Sequence, residues 1–273
     1  MKLRRFLILS AFIPLGCRSS SPPPPPPPAE TGDVRFPSDG RSLRGSLFRP
    51  PVDGRFPAVV YNHGSERDPS LEFLGELGAF FQSHGYVVLF PYRRGSGGSE
   101  GAYWRDEVEK HPEAERSRAA VAQLEVENAD VVAAIQFLRT QPFVDGAAIS
   151  VAGCSFGGIH TVLTAEKDLG LWAAVDFAGA SMSWAKSVEL QDRMKTAARA
   201  AKVPVFFVQA ENDFDTTPSL VLSGVMRDAG KPERMKIFPP HGTTPMAGHA
   251  HFCNHGMNEW GDEVLAFLKE PRK

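Results

Sequence analysis

The sequence predicts an α/β fold with a mainly parallel, doubly wound sheet and helices on both faces. Apolar runs bounded by turn residues alternate with segments of helical periodicity, which is the pattern of repeated strand and helix units around a parallel sheet. Beyond about Thr31 the chain is long enough for one core of this class, and no later proline-rich or charge-rich stretch divides it. We therefore expect one α/β domain over residues 34–273, with only a small lid.

The predicted strands are short apolar runs that end at turn residues. An antiparallel edge hairpin is expected over 34–48. The remaining strands are expected at 56–61, 86–90, 147–152, 172–177, 203–208 and 235–238.

The predicted helices follow apolar stripes of helical period. Leucines and phenylalanines recur at this spacing between 71 and 84, and Gly85 ends that helix. The longest stripe predicts an amphipathic crossover helix over 116–141. Further helices are expected after residue 155, over 190–202, near Pro218 and over 259–269.

The N-terminus has the pattern of an export signal. Basic residues at positions 2, 4 and 5 precede an apolar stretch, 6–15, that is too short to span a bilayer, so residues 1–16 are a predicted signal peptide. Cys17 stands where a bacterial lipoprotein signal is cut, because Ile-Pro-Leu-Gly-Cys at 13–17 resembles a lipobox, although Pro14 is unusual there. The alternative is an ordinary secretory peptide cut near Gly16.

A proline run follows at 22–28 and predicts a stiff polyproline II spacer, so 17–33 is the expected lipidation site and linker. This leader predicts an exported protein that is anchored to a membrane by lipid and faces the periplasm or the cell surface.

Composition excludes several classes of protein. The formal net charge is -2 and falls further once the basic leader is removed, so no surface for nucleic acid is indicated. Besides Cys17 only Cys154 and Cys253 remain, too few for a disulfide scaffold. We expect both to be buried thiols, with one disulfide between them as the alternative in an oxidising compartment. No cofactor or metal is expected.

A G-x-S-x-G motif occurs twice. In the first, residues 153–157, Ser155 directly follows an apolar strand and precedes a helix, and such a turn can expose a serine hydroxyl as a nucleophile. The second, residues 97–101 around Ser99, lies in a glycine-rich, charged stretch with no apolar run before it. Context therefore predicts Ser155 as the nucleophile.

A serine nucleophile needs a histidine to take its proton and a carboxylate to orient that histidine. In a doubly wound sheet such groups lie on loops at the carboxyl ends of the strands. Asp213 follows the strand 203–208, and a histidine-rich loop, 241–255, follows the strand 235–238. The order serine, aspartate, histidine is that of α/β-hydrolases.

With these motifs the chain resembles an α/β-hydrolase of the dienelactone hydrolase family, from the first parallel strand to the last helix. Gly-Cys-Ser-Phe-Gly-Gly at 153–158 is similar to that family's nucleophile elbow. Ala-Glu-Asn-Asp at 210–213 resembles the loop of the catalytic acid, and Ala-Gly-His-Ala-His-Phe at 247–252 the loop of the base. Dienelactone hydrolases carry a cysteine where this chain has Ser155, and the serine favours general ester hydrolysis.

Two of these positions have rivals. Asp215 competes with Asp213, but Asp213 lies nearer the strand end and fits the family register; the alternative is that Asp213 only caps the following helix. His251 competes with His249. The resemblance favours His249, because the family's base follows glycine directly.

The oxyanion hole is predicted from two backbone N-H groups. One belongs to Phe156, directly after the nucleophile, and the other to Ser65 in the His-Gly-Ser loop after the first parallel strand. A plain turn is the alternative for that loop. Aromatic residues near the strand ends are candidate walls of the substrate pocket, although each could instead brace its loop or belong to the core: Tyr92, Trp104, Trp184 and Phe214.

The predicted function is a serine hydrolase that cleaves a small carboxylic ester or related acyl substrate through an acyl-enzyme. One alternative is a peptidase resembling the prolyl oligopeptidase group, suggested by Tyr-Arg-Arg-Gly-Ser-Gly-Gly at 92–98. Another is an exported protein that binds a metal through histidines. Its candidate ligands are His241, His249, His251 and His255. A non-catalytic binding protein of the same fold is disfavoured, because all three catalytic residue types occur in order.

Overall fold

A central eight-stranded sheet organises the protein. The computed structural model describes residues 30–69 and 71–270. In chain order the strands are β1 (Glu30–Ser38), β2 (Arg41–Arg49), β3 (Phe56–Asn62), β4 (Val87–Tyr92), β5 (Val144–Cys154), β6 (Ala174–Phe177), β7 (Val205–Ala210) and β8 (Glu233–Phe238). Their order across the sheet is β1-β2-β4-β3-β5-β6-β7-β8. The pairs β1/β2 and β2/β4 are antiparallel and the other five are parallel, which confirms the predicted mainly parallel sheet with an edge hairpin.

Helices cover both faces of this sheet. They are α1 (Leu71–Ser83), α2 (Trp104–Glu109), α3 (Arg116–Arg139), α4 (Phe156–Ala165), α5 (Val188–Ala200), α6 (Thr217–Asp228), α7 (Phe252–His255) and α8 (Met257–Lys269). Helices α3 to α6 pack on one face, where Leu124, Ile135 and Met194 join the core. Helices α1, α7 and α8 pack on the other, around Phe81 and Trp260. The sheet is therefore buried on both faces, as its near-continuous apolar strands require.

Three local elements differ from the sequence prediction. Strand β1 begins at Glu30, so four residues of the expected linker pair with β2 in an antiparallel ladder. The charged stretch after the second G-x-S-x-G motif contains α2, which buries Val108. The histidine-rich loop includes a π-helical turn, Ala247–His251, followed at once by α7.

The predicted signal peptide, Cys17 and the proline run lie outside the described residues. Over the part of the chain that the structure describes, no helix combines the length and apolar character needed to cross a membrane.

Candidate active site

Ser155 occupies a strained turn between β5 and α4. Its backbone has φ 57° and ψ -115°, a left-handed conformation that costs a non-glycine residue about 1–3 kcal/mol and is often retained for function. Its N-H donates to the carbonyl of Phe177 in the neighbouring strand at 2.8 Å. Gly157 permits this tight turn, because a Cβ there would lie 2.1 Å from the carbonyl oxygen of Asn62. The sequence thus builds the tight strand-to-helix turn that a nucleophile elbow requires.

His249 and Asp213 are paired, as the sequence predicts. The Nδ1 atom of His249 lies 2.9 Å from Oδ1 and 3.1 Å from Oδ2 of Asp213, and both side chains are buried. A carboxylate only accepts, so Nδ1 is the donor of this pair. Within residues 30–69 and 71–270, Nε2 is buried and has no hydrogen-bond partner, so no other protein contact occupies this nitrogen.

Three further donors hold Asp213 in place. The Oγ of Ser181 donates to Oδ1 at 2.6 Å, the Nε2 of Gln209 donates to Oδ2 at 2.8 Å, and the N-H of Phe214 donates to Oδ1 at 2.6 Å. These donors fix the orientation of the carboxylate, so its oxygens stay directed at Nδ1 of His249.

Sequence reasoning missed Ser181 and Gln209. Ser181 follows a turn in which Ala178 and Ala180 adopt φ values of 57° and 65°. Alanine gives no sign of a left-handed backbone, so no local pattern could have placed Ser181 against Asp213. Gln209 is the one polar residue in the otherwise apolar strand β7, and a polar side chain at a fully buried position is the signal that could have indicated it.

The two rival residues take other positions. Asp215 Oδ1 accepts from the N-H of Thr217, the first residue of α6, at 2.8 Å, so this carboxylate is directed at the start of α6. His251 is exposed and packs 6.1 Å from the ring of His255. The structure therefore brings Asp213 together with His249.

A buried ion pair braces the loop that carries Ser65. Arg93 donates to the carbonyls of His63 at 2.9 Å and Gly64 at 2.6 Å, and its Nε donates to Glu127 at 3.1 Å. Both charged side chains are 1% exposed, so the interaction is shielded from water and salt. This pair therefore holds the loop of Ser65 against α3.

Two histidines beside the pair are biased towards their neutral forms. Burial, with Arg93 as the next cause, holds the pKa of His63 well below its ordinary value. Burial also lowers the pKa of His160, although Glu127 at 3.4 Å opposes the shift. Arg93 is therefore the cation of this cluster.

Ser155 opens onto a cleft of about 220 Å³. Its lining is mostly apolar and includes Ser65, Trp104, Phe156, Ile159 and Met182. Trp104 stacks on Phe156 with ring centroids 4.8 Å apart, and the side chain of Met182 is 46% exposed at the mouth. The two predicted oxyanion residues thus line the same cleft as Ser155.

Two predicted pocket walls are wrong. Tyr92 is buried in the core layer on the face of α1, α7 and α8, and its hydroxyl pairs with that of Ser46 at 2.7 Å. Trp184 begins a short 3₁₀ turn before α5 and is buried in the core. Phe214 is half exposed with its ring edge-on to His249 at 5.6 Å, and Trp104 lies in the cleft.

The prediction of two thiols is also wrong, because Cys154 and Cys253 form a disulfide. The side chain before the nucleophile points back into the layer between the sheet and α7, and Cys253 enters the same layer. Their Cα atoms lie 5.9 Å apart, within the range that a disulfide spans.

The remaining histidines of this loop pair with carboxylates on other helices. His241 contacts Glu259 at 2.5 Å and His255 contacts Glu76 at 2.6 Å. Among the described residues, no group of three or more histidine, cysteine, aspartate or glutamate side chains could hold a metal ion.

A buried carboxyl group lies beneath the elbow. Asp176 pairs with Gly153 across the β5/β6 ladder, and its Oδ1 accepts from the N-H of Gly179 at 2.9 Å. Burial raises its pKa to about 7, with the Gly179 hydrogen bond opposing the shift.

Comparison with known proteins places this geometry in context. The sequence profile of the dienelactone hydrolase family matches residues 45–260. Over 144 residues the chain is 31% identical to the polyketide transferase GrgF of Penicillium, a match that covers 52% of this chain and 43% of that protein.

Solved structures show the same fold. The acylaminoacyl peptidase of Pyrococcus horikoshii superposes with a TM-score of 0.66 at 21% identity, covering 90% of this chain and 42% of the peptidase. A dienelactone hydrolase structure from Klebsiella pneumoniae gives 0.62 at 18% identity, covering 89% of this chain and all of its own. GrgF itself gives 0.63 at 19%, covering 88% and 98%. These likenesses confirm the α/β-hydrolase fold class.

Proposed function

Because this chain belongs to the dienelactone hydrolase family, we propose that it is a serine hydrolase that cleaves carboxylic esters through an acyl-enzyme. The observation that carries the proposal is the conjunction of Ser155 at a strained elbow with a buried His249 whose Nδ1 is held by Asp213 and whose Nε2 has no partner among the described residues. A buried polar atom without a partner requires an explanation, and a proton-accepting role supplies one.

In the proposed acylation step, His249 Nε2 takes the proton of the Ser155 hydroxyl as its oxygen attacks the substrate carbonyl. His249 Nε2 makes no hydrogen bond to Ser155 among the described residues, and catalytic hydrogen bonds of this kind commonly tighten only when substrate binds. The bond from carbonyl carbon to alcohol oxygen then breaks, and His249 returns the proton to the leaving alcohol. Asp213 keeps the imidazole in the required tautomer and stabilises its positive charge.

The tetrahedral oxyanion is bound by backbone N-H groups of Phe156 and Ser65 in this proposal. Phe156 is the first residue of α4, where N-H groups have no acceptor within the helix and the helix dipole favours negative charge. Ser65 is held from behind, since its carbonyl accepts from Trp104 Nε1 at 3.3 Å and from the Tyr103 hydroxyl. Arg93 fixes the two residues before it.

Deacylation reverses these roles. His249 takes a proton from water, the hydroxide oxygen attacks the acyl carbon, and the bond to Ser155 Oγ breaks as the proton returns to that oxygen. The products are a carboxylic acid and the free serine.

The cleft suggests the size of the substrate. A volume of about 220 Å³ holds about seven water-sized groups of about 30 Å³ each. Its apolar lining of Trp104, Ile159 and Met182 suits a short or medium acyl chain. We expect p-nitrophenyl butyrate and hexanoate to be better substrates than the dodecanoate.

Labelling by a fluorophosphonate tests the nucleophile. We expect the label on Ser155 after proteolysis and mass spectrometry, and a Ser155→Ala variant that folds but loses p-nitrophenyl butyrate turnover by about 10⁴-fold or more. Label on another residue, or undiminished turnover in the variant, would contradict the proposal.

A peptidase is the second candidate, supported by the fold shared with the Pyrococcus acylaminoacyl peptidase. Ester and amide cleavage use the same residues in the same roles. Parallel assays with aminoacyl p-nitroanilides and p-nitrophenyl esters distinguish the two, and we expect the esters to be cleaved faster.

We also propose that the protein acts outside the cytoplasm, as a lipoprotein anchored through Cys17. The basic and apolar leader supports this proposal, and so does the disulfide, since such bonds persist mainly in oxidising compartments. Metabolic labelling with an alkyne fatty acid tests the anchor, with Cys17→Ala as the variant expected to lose the label.

A further inference from the structure

The disulfide joins the chain beside two of the three proposed catalytic residues. Cys154 directly precedes Ser155, and Cys253 follows His249 by four residues, which is about one helical turn. The closed loop spans 99 residues and contains Asp213. The covalent bond therefore connects the nucleophile elbow to the segment of the base, two parts of the chain that come from different strands.

The base segment, residues 247–255, has few other attachments on its approach from β8. Residues 241–246 that lead into it are mostly exposed or half exposed. Asn212 ties that approach to the β7 loop, donating to the carbonyls of His241 and Thr244 at 3.0 Å and accepting from the His241 N-H at 2.9 Å. Asn212 thus attaches the approach to the base segment to the loop of Asp213, whereas the disulfide attaches the segment itself to the elbow of Ser155.

The backbone of the segment also needs external support. It consists of one π-helical turn and a four-residue helix, and such short pieces are unstable in isolation. Phe252 is fully buried and its carbonyl accepts from Trp260 Nε1 at 2.9 Å, so the far end of the segment is anchored in the core. Cys253, the residue after Phe252, attaches this end of the segment to the elbow through the disulfide.

Burial argues against a role as a reversible redox device. Cys154 is 5% exposed and Cys253 is fully buried, so a reductant in solution reaches either sulfur only slowly. The bond therefore persists through turnover and opens only under prolonged treatment with a reductant.

We infer that the Cys154–Cys253 disulfide is a positioning element that sets His249 Nε2 in register with Ser155 Oγ. This inference rests on the proposed function. Displacement of a reacting group by about 1 Å costs about 10²-fold in rate, so the loss of the bond is expected to lower kcat and to leave KM nearly unchanged.

The test uses the full-length exported protein, with the disulfide verified by mass spectrometry. In the Cys154→Ala/Cys253→Ala variant we expect kcat for p-nitrophenyl butyrate to fall by about 10- to 100-fold and KM to stay within about threefold. Val264→Ala removes buried volume from the same core layer at α8 and is the matched control for lost packing; its kcat is expected to stay within about twofold.

A double-mutant cycle separates positioning from general stability. In a His249→Ala background, removal of both cysteines is expected to change the residual rate by less than about twofold, because the group being positioned is gone. A folded Cys154→Ala/Cys253→Ala variant with the kcat of wild type would overturn the inference. So would an equal loss of rate with and without His249.

A measurement on the wild-type protein applies if the variant does not fold. Slow reduction by tris(2-carboxyethyl)phosphine is followed by thiol count, activity and far-UV circular dichroism in one sample. Activity should fall in step with thiol release while the circular dichroism is unchanged, and loss of activity only with loss of structure would refute the inference. Absence of fluorophosphonate label on Ser155 in the untreated protein would instead refute the proposed function.

Discussion

Ser155 and Ser99 stand at the centres of two copies of the same five-residue pattern and differ in almost every physical respect. Ser155 has a strained backbone and lines a cleft. The Ser99 hydroxyl is buried, donates to the carbonyl of Tyr92 at 2.6 Å and accepts from the N-H of Arg44 at 2.8 Å. Ser155 therefore lines an open cleft, whereas Ser99 holds its loop against β2.

The difference arises from what lies before and after each pattern. The apolar strand β5 fixes the direction in which the chain reaches Ser155, and α4 begins at once behind it. The stretch around Ser99 instead contains three glycines with positive φ, at 97, 98 and 101, and the loop folds back on β2. A sequence motif thus specifies a turn only together with its flanking elements.

Asp213→Asn should have the largest effect on activity. The substitution disrupts the pair of Asp213 and His249, which belongs to the site of Ser155 and has no counterpart beside Ser99 in the described residues. An amide can donate to Nδ1 of His249 and so stabilise the tautomer in which Nε2 holds the proton. We expect kcat for p-nitrophenyl butyrate to fall by about 10⁴-fold with little change in the melting temperature.

Asp215→Asn is the matched control for that experiment. Asp215 binds the N-H of Thr217 at the start of α6 and does not contact His249 in the described residues, so the kcat of this variant is expected to stay within about threefold of wild type. Equal losses in the two variants would contradict the assignment of the acid.

The two regions also differ in the burial of a nearby carboxyl group, and Asp176→Asn tests this difference. Asp176 is buried beneath the Ser155 elbow, whereas Glu100 beside Ser99 is exposed. Because burial raises the pKa of Asp176 from 3.8 to about 7, the unfolded chain ionises first as the pH rises. The folded state therefore loses stability between about pH 4 and 7, by up to about 4 kcal/mol for this group.

The asparagine variant cannot ionise and should escape that loss. We expect its free energy of unfolding in urea to exceed that of wild type at pH 8, and the difference to shrink towards pH 4. Asp168→Asn, at an exposed carboxylate, is the control, and its stability is expected to follow wild type at both pH values. A difference that is independent of pH would show that Asp176 is not the titrating group.

Sequence patterns predicted the parts of this site that depend on neighbouring residues. The strand before Ser155 and the strand before Asp213 are visible as apolar runs, and parallel strands deliver their following loops to one edge of the sheet. The pairing of His249 with Asp213 then follows from topology. These are the relations that a period of two or of 3.6 residues can encode.

The parts that the sequence did not reveal depend on distant residues. Cys154 and Cys253 are separated by 99 positions, and only the packing of α7 on the sheet brings them together. Ser181 reaches Asp213 through a turn whose alanines adopt an unexpected backbone. Trp184 was a candidate pocket wall because tryptophan suits both a core and a cleft, and composition cannot choose between these.

Ser99→Ala should give the smallest effect and completes the comparison. The substitution leaves the N-H of Arg44 and the carbonyl of Tyr92 without their present partner, and an unsatisfied polar group costs about 1–3 kcal/mol when it is buried. We expect the free energy of unfolding to fall by about that amount, while kcat stays within about twofold of wild type. Ser83→Ala removes an exposed hydroxyl on α1 and should change the stability by less than about 0.5 kcal/mol. A large loss of kcat in folded Ser99→Ala would mean that the loop of Ser99 helps to shape the cleft. The connection would run through the chain at Tyr92, because Ser99 binds the carbonyl of Tyr92 and the next residue, Arg93, braces the loop of Ser65.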